Sequence, residues 1–172
     1  MKIRNTKYEI RNIEGVTMVE LLIYIGLLTL FLTVLTTLFV SIFKLQLTTQ
    51  STSSLTQDTR FIIARMGYDI ENARSVSTPA LGQQPTDFLT FIDTNGNTSK
   101  YAFENNNLTL NGTPINGLDT SISSITFRMI NSQPPAPANP PPTIQVKFTI
   151  NSNVIEESGP RSQDIQTTYG LR

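Results

Sequence analysis

Hydrophobic positions in this chain form three successive patterns, and the first is an uninterrupted apolar run. Residues 21–43 are 23 positions without a charge, a proline or an asparagine. A helix rises 1.5 Å per residue, so this run covers about 35 Å, more than the roughly 30 Å hydrocarbon core of a bilayer. With the few residues that lead into it, the run predicts a transmembrane helix over residues 16–43.

Five hydroxyl side chains lower the hydrophobicity of this run without adding a charge to it. They belong to Thr29, Thr33, Thr36, Thr37 and Ser41. Such hydroxyls can donate to helix carbonyls one turn earlier, which makes them tolerable in lipid. They could also form hydrogen bonds between neighbouring helices.

The second pattern is an amphipathic stripe. Apolar residues recur at helical spacings of 7, 4, 4, 3 and 3 through Leu55, Ile62, Met66, Ile70, Ala73 and Val76. Charged and polar residues fill most of the remaining positions, and no proline intervenes before Pro79. We therefore predict that a helix continues over residues 44–78 and packs its stripe against a sheet.

The third pattern, over residues 79–172, is typical of strands. Asn95-Gly96 lies between two β-like runs and predicts a hairpin. The predicted strands cover residues 88–92, 100–103, 108–110, 122–130, 143–150 and 165–171. Six prolines within residues 132–142 predict an extended loop between two of them. The expected fold class is α+β, a long N-terminal helix packed on one mostly antiparallel sheet.

The amino-acid composition limits the functions that this chain can have. Lys and Arg number 13, as do Asp and Glu, so zero net charge gives no indication of nucleic-acid binding. The chain has no cysteine and no histidine, which removes disulfides, thiolate ligands and histidine-dependent hydrolytic triads. We expect a protein that is not an enzyme and that has no cofactor and no metal site.

One segment of the β-rich region bears a superficial likeness to a calcium loop. Asp93, Asn95 and Asn97 alternate, and Glu104 is the twelfth residue counted from Asp93. Gly96, however, is the fourth residue and not the sixth, and no helices are expected to flank the segment. A hairpin is therefore the favoured interpretation over calcium binding.

Glu20 is the single carboxylate at the head of the apolar run, five positions after Gly15. Placing a charged side chain within a membrane segment costs about 2.5–3.5 kcal/mol. A charged residue at such a position is therefore taken by default to have a function. The run is too long for a secretory signal's apolar region and lacks a small-x-small cleavage site after it. A plain signal anchor would explain the run but neither Glu20 nor Gly15.

Basic residues indicate the orientation of this span. Lys2, Arg4, Lys7 and Arg11 precede it, against Glu9 and Glu14, whereas Lys44 is the only charged residue between the span and Asp58. The positive-inside rule places the N-terminus in the cytoplasm and the C-terminal bulk on the other side of the membrane.

The segment Gly15-Val16-Thr17-Met18-Val19-Glu20-Leu21-Leu22-Ile23-Tyr24-Ile25 resembles the class III signal of type IV pilins and pseudopilins. The resemblance implies that a prepilin peptidase removes residues 1–15, cutting between Gly15 and Val16, and methylates the new amine of Val16. The family commonly has phenylalanine at that position. Glu20 becomes the fifth mature residue, and it would neutralise the amine of an adjacent subunit and so set their axial register.

A weaker resemblance extends further. Residues 57–62, 66–73 and 165–172 are similar to the J group of type II secretion minor pseudopilins. This implies a tip-complex subunit in the bacterial inner membrane whose partners are other pilins or pseudopilins, an assembly ATPase and a platform protein. Secretion pseudopilin, pilus minor pilin and DNA-uptake pilin stay open as alternatives within the class. Outside it, the alternative is a single-pass membrane-anchored extracytoplasmic binding module or adhesin.

Overall fold

The computed structural model describes residues 15–130, 142–156 and 159–171, so the predictions on residues 1–14 and on most of the proline-rich loop lie outside the described residues. Within these described residues the fold is α+β, with one helix, α1 (Met18–Glu71), followed by eight strands. The strands are β1 (Ser75–Thr78), β2 (Phe88–Ile92), β3 (Thr98–Glu104), β4 (Asn107–Leu110), β5 (Thr113–Pro114), β6 (Thr120–Ile130), β7 (Thr143–Ser152) and β8 (Ser162–Gly170).

The chain divides into two compact units, of which one ends at Ile42 and the other comprises Phe43–Arg172. This division falls within one residue of the predicted end of the apolar run. In the first unit, one stretch of α1 is long and apolar enough to cross a membrane by length and composition. Its apolar side chains are exposed on all sides of the helix.

In the second unit, α1 buries the predicted stripe. Leu55, Ile62, Met66 and Ile70 are at most 4 % exposed and belong to one core cluster with residues of both sheets. The stripe prediction is confirmed for these residues, whose spacing places them on one helix face.

The helix ends earlier than predicted, at Glu71 and not at residue 78. The backbone N–H of Arg74 donates to the carbonyl of Ile92 at 2.8 Å, which draws the chain into the sheet. Val76 then pairs with Phe91 in strand β1, so it is partly buried as a strand residue. Pro79 follows a strand here, not the helix.

The strands form two sheets, where one was predicted. The first has the order β1-β2-β3-β4-β5 and the second the order β6-β7-β8, and every neighbouring pair is antiparallel. Between them, Thr86 and Phe127 exchange backbone hydrogen bonds of 3.0 and 2.7 Å, and Ile122 N–H donates to Asn106 O at 2.8 Å. These bonds are too few to continue one ladder into the next, so the sheets stay separate.

Turn chemistry sets the register of the first sheet. The predicted hairpin is confirmed: β2 and β3 pair antiparallel, and Gly96 has a φ of 85° between them. Asn105-Asn106 and Asn111-Gly112 form the next two connections, with φ positive at all four residues. Two-residue loops of this kind are type I′ turns, whose twist matches that of antiparallel strands.

The core lies between the buried face of α1 and the inner faces of the sheets. Strand β7 shows how the sequence specifies it, because Ile144, Val146, Phe148 and Ile150 are buried while the residues between them are not. This alternation is what a strand with one buried face requires.

Candidate functional site

Thr17 caps the helix that begins at Met18. Its side-chain oxygen accepts a hydrogen bond from the Glu20 N–H at 3.2 Å, and its carbonyl accepts one from the Leu21 N–H at 3.1 Å. Thr-x-x-Glu ahead of an apolar run is the sequence signature of a capping box. The sequence analysis did not predict this role for Thr17, although the Thr-x-x-Glu spacing indicates it.

Glu20 is therefore the third residue of the helix, where a carboxylate is favoured by the helix dipole. The Tyr24 hydroxyl, one turn further along, donates to Glu20 Oε1 at 2.9 Å, and both side chains are exposed. Two carboxylate oxygens offer about four acceptor sites in all. Glu20 thus keeps the capacity to accept from a donor outside its own chain.

Gly15 and Val16 precede the helix and are exposed. A Cβ placed on Gly15 would meet no described atom within 4 Å, so packing does not explain a glycine there. The predicted cleavage residues are thus brought next to the cap, in an exposed peptide outside the helix. Such a peptide can enter a protease site without local unfolding.

The apolar segment that follows satisfies its polar groups internally. The hydroxyls of Thr29, Thr33, Thr36 and Ser41 donate to carbonyls four residues earlier at 2.8 Å, and Thr37 donates to Val34 at 2.7 Å. All five predicted back-bonds are confirmed. With its backbone also bonded as a helix, the segment offers lipid almost no unsatisfied polar group.

The Asp93 carboxylate stabilises the hairpin. Its Oδ1 accepts from the N–H groups of Asn95 and Asn97, both at 2.8 Å, and these backbone donors, that of Asn97 above all, lower the pKa of Asp93. Glu104 lies at the far end of strand β3, about 20 Å away at 3.3 Å per residue. The first and twelfth positions of the calcium-loop alternative are therefore not brought together.

Two carboxylates on α1 bind the helix to the β-rich region, and sequence reasoning missed both. Asp58 Oδ2 accepts from Gly117 N–H at 2.7 Å and from the Thr120 hydroxyl. Asp69 accepts from the Tyr101 hydroxyl at 2.6 Å and from Arg65 Nε at 3.0 Å. Burial, and then the bond to Asp69, raises the pKa of Tyr101. These groups hold the fold, and their partners could be known only from the tertiary structure.

Within residues 15–130, 142–156 and 159–171, no three carboxylates lie close enough together to hold a metal ion. Among residues 15–42, the described part of the first unit, Glu20 is the one carboxylate, and the chemistry it offers is binding of a cation. No protein-family model matches the chain, and no curated protein or solved structure matches it either, so a proposal of function rests on the residues and the geometry.

Proposed function

We propose that this chain is a pilin-like assembly subunit, processed at Gly15–Val16 and inserted in the membrane through the apolar part of α1. The observation that carries the proposal is an exposed carboxylate in the first helical turn, followed by an apolar surface exposed on every side of the helix. A helix of this kind needs lipid or other helices around it, and its carboxylate needs a cation.

Cleavage would supply that cation. Removal of residues 1–15 leaves an ammonium group at Val16, two residues before the helix begins. A neighbouring subunit's Val16 ammonium, placed beside Glu20, forms a charge-assisted pair that is strong where water is scarce. Because the pair has one geometry, it would fix the axial offset between neighbouring helices.

Within this proposal, the N-terminus faces the cytoplasm and the unit Phe43–Arg172 lies outside the inner membrane. The partners are other pilins or pseudopilins, the prepilin peptidase, an assembly ATPase and a platform protein. The similarity of residues 57–62 and 66–73 to the J group of secretion pseudopilins favours a minor, tip-complex role. Pilus and DNA-uptake assemblies are the other members of the same class.

A second candidate function is favoured by the capping geometry. Thr17 and Tyr24 give Glu20 local hydrogen bonds that require no other subunit. A single-pass anchored binding module or adhesin would need nothing more at this position. The two functions differ in whether the charge of Glu20 matters after insertion.

Glu20→Gln separates them, because glutamine can replace glutamate in a capping box and can still accept from Tyr24, but carries no charge. The assembly proposal predicts normal insertion and cleavage, with loss of crosslinks to pilin-like partners in the native membrane. Glu104→Gln, an exposed carboxylate of the β-rich region, is the matched control and should crosslink as wild type. Crosslinks to pilin-like partners that persist at the wild-type level in Glu20→Gln would refute the charge pair, whereas a wild-type chain that forms no such crosslinks would favour the anchored module.

A further inference from the structure

In the described part of the chain, the two sheets have four edge strands, and three of these edges are protected. Strand β1 has four residues and an irregular register between Val76 and Thr78. Strand β5 has two residues, and one of them is Pro114. Strand β6 forms backbone hydrogen bonds beyond its own sheet, to Thr86 and Asn106. Short length, irregular register, proline and a covering segment all prevent an edge strand from pairing with another chain.

Strand β8 is the fourth edge, and it has none of these protections. It pairs with β7 over all nine of its residues without a shift of register. It contains no proline, lysine or arginine. On the side away from β7, no hydrogen bond reaches its backbone from any described residue. Because the N–H and C=O groups of a strand point to its two sides in alternation, β8 presents a row of unpaired backbone groups.

The side chains of β8 fix this row in an extended form. Ile165, Thr167 and Tyr169 are turned inward, and the residues between them are exposed. The Tyr169 hydroxyl donates to the carbonyl of Ile63 on α1 at 2.9 Å, and a Cβ on Gly67 would lie 3.0 Å from the Tyr169 ring. The edge is thus held between β7 and contacts to α1, so an added strand would not have to order it first.

Charge at both ends of this edge is negative. Asp164, near the start of β8, is exposed, and its Oδ1 accepts a hydrogen bond from the Thr149 hydroxyl at 2.7 Å. At the other end, burial raises the pKa of Tyr169 and the charge of the nearby Glu71 adds to the rise. Glu71 is the last residue of α1, where the helix dipole is negative and the last turn has no basic residue. Neither carboxylate has an ion pair within the described residues.

We propose that β8 accepts an extended, basic segment of another protein as a further strand of its sheet. Backbone hydrogen bonds would supply the affinity, and lysine or arginine near Asp164 and Glu71 would select the partner. The charge argues against a second copy of this chain, because its β8 would bring the same carboxylates and no basic residue. Arg161, which precedes β8, is already bonded to Glu156 and Thr52. The inference concerns the unit Phe43–Arg172 alone and does not rest on the proposed cleavage or assembly.

A synthetic strand tests this inference directly. The full-length protein in a zwitterionic detergent would be titrated with a blocked nine-residue peptide in which valine alternates with threonine and lysine. The control peptide has glutamate in place of each lysine. Calorimetry would measure affinity, and hydrogen exchange followed by mass spectrometry would locate the bound peptide. Asp164→Asn removes a charge from the edge, and Glu104→Gln, at an exposed carboxylate ending β3, is the matched control variant.

We expect the lysine peptide to slow exchange in residues 162–170 and to leave exchange in β3 unchanged. The glutamate peptide should bind about tenfold more weakly, because it meets carboxylates of its own sign. Asp164→Asn should weaken binding of the lysine peptide about two- to fivefold, as expected for an exposed charge pair. Glu104→Gln should bind as wild type.

Three results would overturn the inference. Equal affinity for the two peptides, or binding of neither, would refute a basic partner strand. Exchange in residues 162–170 of the chain alone that is as slow as in β7 would refute a free edge. Exchange in the same residues that slows as the concentration of the chain rises, with no peptide present, would assign the edge to a second copy.

Discussion

Helix α1 runs through two regions that differ in the solvent they require. Up to Ile42 its side chains are apolar around the whole circumference and remain exposed. From Leu55 to Ile70 one apolar stripe is buried, while Phe61 and Tyr68 on the other side of the helix stay exposed. The angular distribution of apolar residues tells the two regions apart: an apolar surface all round a helix is typical of a membrane span, and a single apolar face is typical of a helix packed on a protein core.

Polar side chains show the same contrast. In the first region, threonine and serine hydroxyls return to carbonyls of their own helix. In the second, Asp58 and Asp69 bind groups far away in the sequence, at Thr120 and Tyr101. Local hydroxyl bonds continue into the second region at Thr49, Thr52 and Thr56, so what distinguishes that region is the tertiary bonds it adds.

The largest expected effect concerns the buried stripe. Ile62→Ala removes three buried carbons and should lower the free energy of unfolding of the second unit by about 2–5 kcal/mol. Phe61→Ala, at the exposed neighbouring position, should change it by about 0.5 kcal/mol or less. Urea unfolding of the reconstituted chain, followed by near-ultraviolet circular dichroism of its tyrosines, measures both. Equal effects would contradict the assignment of faces.

A charge in the all-apolar region tests the other half of the comparison. Leu32→Lys should disfavour membrane insertion by about 3 kcal/mol, because a lysine at the centre of a span is poorly solvated. Leu32→Ile serves as the volume-matched control and should insert as wild type. Resistance to alkaline extraction from membranes distinguishes them. Full retention of the lysine variant would indicate that this stretch does not span the bilayer.

Loss of a tertiary carboxylate should have a smaller effect. Asp58→Ala leaves Gly117 N–H and the Thr120 hydroxyl without their acceptor, and we expect a loss of about 1–3 kcal/mol in unfolding free energy. Asp87→Ala changes an exposed carboxylate and should be nearly neutral. Matching denaturation midpoints for the two variants would show that Asp58 does not secure the loop.

The smallest expected effect is at Tyr101, where Tyr101→Phe should cost about 1 kcal/mol at neutral pH through loss of the bond to Asp69. Burial first, and Asp69 second, raises the pKa of Tyr101 above its ordinary 10.0, so the folded state holds the phenol proton more tightly. That contribution is fully present below pH 10 and is lost as pH rises beyond it.

Unfolding free energy measured between pH 8 and 11 should therefore fall more steeply in the wild type than in Tyr101→Phe. Burial also raises the pKa of Tyr169, so part of the decline should persist in the variant. Identical slopes in the two proteins would show that Tyr101 ionises no less readily in the folded state.

Local patterns allowed much of this fold to be predicted. The stripe from Leu55 to Ile70, the hairpin at Asn95-Gly96 and the hydroxyl back-bonds each depend on residues a few positions apart. The end of the helix could not be predicted, because it depends on a hydrogen bond from the Arg74 N–H to the carbonyl of Ile92, 18 positions further along the chain. The separation into two sheets likewise depends on where β6 meets Thr86 and Asn106.

At the candidate site, the sequence indicated Gly15, Val16 and Glu20, and the structure adds Thr17 and Tyr24. The capping role of Thr17 could have been predicted from the Thr-x-x-Glu spacing. The bond from Tyr24 depends on rotamers as well as on its place one turn after Glu20. Binding of Glu20 to another subunit depends on contacts between two chains, so it could not be predicted from one sequence or from the structure of one chain.

The most direct test of the proposed function is the intact mass and N-terminal sequence of the membrane-extracted protein, expressed together with an active prepilin peptidase. We predict a chain that begins at N-methylated Val16 and lacks residues 1–15. A chain that still begins at Met1, from cells in which the peptidase processes a known prepilin, would contradict the proposal.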